Sequence, residues 1–210
     1  MKAPGALPSP GAFCDTSPTD RIYCYWGVFM KKTIPTWQMV GFIFACILGT
    51  LLHFLYDWTG GSLIAALFSA VNESIWEHTK LLFYPMVIFA LIEYKAWGRD
   101  VTDFWGVKLW GIMFGFALIP VLYYTYSGVL GISADWFNIS IFFISSAATF
   151  FLETKLFQKI HRCFLPQWVS VAIICLLAAI YTVLTFWPPA IPFFQDPVTG
   201  TYGYFRTDCS

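Results

Sequence analysis

The residues best equipped for chemistry lie in one run, Ser69-Ala70-Val71-Asn72-Glu73-Ser74-Ile75-Trp76-Glu77-His78-Thr79-Lys80. Two carboxylates, an imidazole, an ammonium and an amide fall within nine residues of it. Continued as a helix at 100° per residue, the run sets Glu73, Glu77 and Lys80 within about 60° of one another, with His78 about 100° round from Glu77. Such a set covers about half the helix circumference. One ion pair cannot satisfy it, so some of these groups must meet another element, water or a ligand. Upstream, His53 and Asp57 stand four residues apart and share a helix face. Downstream, Asp196 precedes Pro197 and opens a proline turn.

His53, Asp57, Glu73, Glu77 and His78 have the ligand types taken by Zn²⁺ or a similar divalent metal, with one carboxylate left over as general base. Without a metal, Glu73 or Glu77 would work with His78 as an acid–base pair. Glu73, Glu77 and His78 are therefore the candidate catalytic residues, and Asn72, Lys80, Asp57 and Asp196 the candidate binding residues. No reaction signature accompanies them. HExxH is absent, the paired Glu-x-x-His of di-iron bundles is absent, and neither Ser69 nor Ser74 sits in a nucleophile elbow. A purely structural reading pairs Glu77 with Lys80 and Glu73 with His78 or a tyrosine hydroxyl, and makes Asn72 or Ser69 a helix cap.

The elements that must position these groups are membrane spans. Of 210 residues, 58% are hydrophobic and only 11% charged, whereas a soluble domain of this length carries roughly a quarter charged residues. The zero formal net charge offers no basic field to nucleic acid. A bilayer core needs about 20 mostly apolar residues per helix, and five stretches meet or approach that: 36–56, 75–94, 104–126, 136–157 and 168–187. The sequence thus predicts an all-α integral membrane bundle of about five transmembrane helices. Gly111 and Gly115 in the third span, and Ser145 to Ala148 in the fourth, read as slim surfaces for helix packing. Glu153 and Lys155, near the end of the fourth span, read as snorkelling side chains.

Lys31 and Lys32 precede the first span, Lys95, Arg99 and Lys108 surround the junction of the second and third, and Lys155, Lys159 and Arg162 surround that of the fourth and fifth. The connections at 57–74 and 127–135 hold no Lys or Arg. This asymmetry places the N-terminus in the cytoplasm and the C-terminal tail outside. In the tail, residues 188–210, the prolines forbid a regular helix. Ile191, Phe193 and Phe194 are too apolar for solvent, so the tail is expected to fold back over the outer mouth of the bundle as a lid.

Residues 1–29 carry four prolines and no continuous apolar run. They are expected to be a disordered or non-native extension, with Met30-Lys31-Lys32 as the natural start. Cys46 and Cys175 lie mid-span and read as free thiols.

The segments VNESIWEHTKLLFYP and PPAIPFFQDPVTGTYG resemble those of a family of small bacterial multi-pass membrane proteins of unknown function, over about residues 35–205. The resemblance implies that these two segments are the family's hallmarks and brings no activity with it. The residues themselves fit a membrane-embedded hydrolase of a lipid or envelope substrate, possible metal dependence included. A small transporter or ligand-binding membrane protein fits too, with a homo-oligomer making up for only five spans, as does an accessory subunit of a membrane complex.

Overall fold

The computed structural model describes residues 18–101, 103–131, 134–159 and 165–204. Among them are six α-helices: α1 (Pro18–Trp58), α2 (Leu63–Phe68), α3 (Ile75–Ala96), α4 (Phe104–Leu130), α5 (Asp135–Lys159) and α6 (Gln167–Phe186), with a 3₁₀ turn at Gly98–Asp100 and no strand. Five segments are long and apolar enough to cross a membrane: Thr33–Trp58, Ile75–Ala96, Phe104–Leu130, Trp136–Gln158 and Gln167–Phe186. Three of the five starts match those expected, at Ile75, Phe104 and Trp136, and the other bounds differ by one to four residues, as helix termini do.

Two differences bear on the site. The first helix begins at Pro18, inside the stretch expected to be a disordered or non-native extension. Proline suits the first turn of a helix, where its fixed φ is already helical and its missing N–H would have gone unpaired. Residues 1–17 lie outside the described residues. The second difference is α2, a short helix inside the 57–74 connection. Its LIAALF sequence is bounded by Gly60 and Gly61, both at positive φ, and by Ser69, whose N–H bonds back to Ala65.

The most buried span is α3. It packs against α1 and α4, while α5 packs against α4 and α1, and α6 against α4 and α2. Trp76, in the first turn of α3, centres an aromatic cluster: its ring lies 4.7 Å from Tyr181 of α6 and 6.0 Å from Phe116 of α4. Two tail residues complete it, Phe193 at 5.9 Å and Phe194 at 4.9 Å. Trp76 N–H also donates to the Phe193 carbonyl at 3.2 Å. Tyr204 is tied at the same end, its N–H to Thr185 O at 2.8 Å and its hydroxyl to Gly61 O at 3.4 Å. Residues 188–204 therefore lie against the end of the bundle where α3 begins. Among the described residues Cys46 and Cys175 are free thiols.

Candidate functional site

The position of the α3 N-terminus decides which way each polar side chain points. Ser74 is the N-cap, and its hydroxyl accepts from Glu77 N–H at 3.4 Å. Glu73 thus precedes the helix, and the expected alignment of Glu73 with Glu77 and Lys80 on one helical face does not form. The capped turn sorts the run into two groups.

The first group is open to solvent. Glu73 Oε2 lies 3.4 Å from His78 Nε2, and Glu73 Oε1 lies 3.8 Å from Nε2 of His53, which comes from the last turns of α1. The two imidazoles sit 5.4 Å apart, centroid to centroid. One ligand-type atom from each of His53, Glu73 and His78 falls within 4.8 Å of the others. His78 Nδ1 is 2.9 Å from the Ser74 carbonyl oxygen. A carbonyl only accepts, so Nδ1 carries a proton, and Nε2 is the ring nitrogen turned toward Glu73, where it can donate to the carboxylate or, once deprotonated, offer a lone pair to a metal. That is how a metal-binding histidine is commonly oriented by its outer partner. His53 lacks such a partner: its Nδ1 is buried and makes no hydrogen bond among the described residues.

The second group is buried. Glu77 and Lys80 are 1% and 0% exposed and form an ion pair one turn apart. Each of their polar atoms has a further partner. Glu77 Oε2 accepts from Val71 N–H at 3.1 Å, and Oε1 from the Thr185 hydroxyl at 3.1 Å. Lys80 donates to Thr185 Oγ1 at 2.9 Å and to Ala66 O, at the end of α2, at 3.2 Å. The pair ties the start of α3 to α2 and α6. The fold thus directs Glu77 away from the His53–Glu73–His78 group.

Of the other predicted residues, Asp57 is exposed one turn on from His53. Asn72 bridges the site to the tail: its side chain donates to Gly203 O at 3.2 Å and accepts from Ser74 N–H at 3.0 Å. Asp196 is buried and closes its own turn, accepting from Val198 N–H at 2.7 Å, Thr199 N–H at 3.3 Å and the Thr199 hydroxyl at 2.8 Å. This is an Asx turn, and it engages both carboxylate oxygens of Asp196 within its own loop.

A third polar group, at the opposite end of α3, was not foreseen. Lys108 of α4 pairs with Glu93 of α3 and with Glu153 of α5, the latter at 2.6 Å, and all three are buried. Gln38 of α1 donates to Glu93 Oε1 at 2.8 Å. Lys108 is therefore an interior residue and not a loop charge, and Glu153 does not snorkel. Only the meeting of four helices brings these residues together. The legible trace in the sequence is Ser145, Thr149 and Glu153, buried polar residues at four-residue spacing along one span.

Fold and site together define a multi-pass α-helical membrane protein with a half-exposed His/Glu cluster at one end of its bundle. The chain belongs to the Family of unknown function (DUF6512), whose model matches residues 28–204. No curated protein and no solved structure matches it.

Proposed function

We propose that this protein is a membrane-embedded, divalent-metal-dependent hydrolase of a lipid or other envelope substrate, with His53, Glu73 and His78 as the metal ligands. The observation that carries the reading is the convergence of two imidazoles and one carboxylate within 4.8 Å, with His78 Nε2 turned into the group by Ser74. Three protein ligands of this kind leave a coordination position for water, as catalytic zinc sites do. A metal bound there would supply a nucleophilic hydroxide by lowering the pKa of that water to about 7. Asp57, exposed and one turn from His53, is the carboxylate assigned to take a proton. Glu77 and Lys80 act as positioning residues that fix the start of α3. The exposed apolar side chains of Trp58, Leu63, Ile64 and Phe68 suit a substrate delivered from the bilayer. In this reading the site faces away from the cytoplasm, because the basic loop residues lie at the other end of the spans.

The test is metal analysis of purified protein beside Glu73→Gln and His78→Ala. The reading expects one zinc-like ion per chain in the parent and its loss from both variants with helicity retained. A parent that holds no metal after incubation with zinc overturns it. A second reading, a small cation-coupled transporter or ligand binder, is favoured by the buried Glu93–Lys108–Glu153 group, since ionisable residues inside a membrane commonly serve ion or proton pathways.

A further inference from the structure

The group at the far end of α3 has an unbalanced charge. Two carboxylates, Glu93 and Glu153, face one ammonium, Lys108, and none of the three is more than 1% exposed. Among the described residues, no further charged side chain pairs with them. Gln38, from α1, is neutral, and the rings of Phe104, Phe150 and Phe157 surround Lys108 at 5.5 to 5.9 Å. A buried charge without a partner is strongly unfavourable, and among the described residues the group is one positive charge short.

Several buried polar atoms on or beside this group have no hydrogen-bond partner among the described residues. Glu153 Oε1 makes no hydrogen bond among the described residues although it is fully buried. Gln38 anchors its amide nitrogen on Glu93 while its Oε1 is buried and unpartnered. One turn along α5 from Glu153, the Thr149 hydroxyl is likewise buried and unpartnered. Room is provided by α4. A Cβ at Gly111 would run into the Glu153 carboxylate, and one at Gly115 would come 2.9 Å from Thr149 Oγ1. The glycine pair therefore seats polar side chains inside the bundle.

We propose that Glu93, Glu153 and Gln38 form a binding site for one small monovalent cation, a proton or an alkali-metal ion, held beside Lys108. The site is separate from the His53–Glu73–His78 cluster: Glu77 and Glu93 are roughly 24 Å apart along α3 at 1.5 Å per residue. It stands whether or not that cluster binds a metal.

Two readouts on the purified protein in detergent or nanodiscs separate the sources. An alkali ion gives a saturable rise in melting temperature when sodium or potassium replaces choline at constant ionic strength. A proton gives no such rise, and instead a carboxylic-acid C=O band at neutral pH in the infrared. Glu153→Gln or Glu93→Gln removes whichever signal the parent shows. Because each replacement removes the negative charge that the cation would balance, at least one of the two variants melts no lower than the cation-free parent, in choline or at high pH. The proposal is overturned if the parent shows neither signal, or if both variants fail to fold, since relief of an excess charge does not damage a fold.

Discussion

His78 donates its Nδ1 proton to the Ser74 carbonyl oxygen at 2.9 Å, so the side chain proposed to bind metal is oriented by the backbone of the residue that caps its own helix. The Ser74 side chain and main chain therefore have separable roles. Ser74→Ala removes the hydroxyl that accepts from Glu77 N–H and is expected to cost about 1 kcal/mol of stability. It keeps the carbonyl, so zinc affinity should stay within about tenfold of the parent, whereas loss of the imidazole in His78→Ala should abolish stoichiometric binding. Thermal melts with calorimetric zinc titration read both effects. A Ser74→Ala variant that melts normally but no longer takes zinc would contradict this division.

The Glu77–Lys80 pair has a different kind of sensitivity. Lys80→Met leaves a carboxylate buried with only Val71 N–H and the Thr185 hydroxyl to receive it, a loss expected to cost about 3–5 kcal/mol. Glu77→Gln combined with Lys80→Met buries no charge and should recover most of that loss. Unfolding of the two singles and the double forms a mutant cycle. If Lys80→Met does not fold, recovery of folded protein in the double variant demonstrates the same coupling. Equal damage in the single and the double would show that the two side chains act independently.

The five apolar spans were legible because length and hydropathy alone decide them. The sorting of the polar run was not. A wheel drawn through 69–80 assumes a helix throughout, but Ser74 caps the helix and puts Glu73 outside it, beside His78 and not beside Lys80. The far-end group was hidden for another reason. Glu93, Lys108 and Glu153 each lie near a span end, where snorkelling accounts for any one of them. Their mutual burial depends on how α3, α4 and α5 pack. Gly111 and Gly115 read as a surface for close backbone approach, yet the structure sets them against Glu153 and Thr149. A polar stripe on one span opposite a glycine pair on another is a signal of such burial.

Gly203 links the tail to the site and is fixed twice over. Its φ is +61°, and a Cβ there would lie 2.6 Å from Thr185 O and 2.7 Å from Pro188. Gly203→Ala should therefore release the tail at a cost of about 1–3 kcal/mol, breaking the Asn72–Gly203 and Tyr204–Thr185 hydrogen bonds. Limited proteolysis is expected to cut within residues 188–204 several-fold faster, while the melting of the spans shifts little. Equal cleavage rates in variant and parent would mean that the tail does not depend on this residue.

The proposed orientation rests on basic residues in loops, and the interior position of Lys108 removes one of them. Lys95 and Arg99 remain at the end of α3 away from the His53–Glu73–His78 cluster, with Arg99 exposed. The connection between Trp58 and Leu63 at the cluster end has no Lys or Arg, and Thr59 there is exposed. The excess of positive charge is still on one side. In a background with the six native cysteines replaced, Thr59→Cys should react with a membrane-impermeant maleimide on intact cells. Arg99→Cys should react only after permeabilisation. The reverse pattern would turn the protein over, placing the cluster on the cytoplasmic side. The metal site could then be retained, but its substrate would have to be a cytoplasmic-leaflet lipid or a soluble molecule.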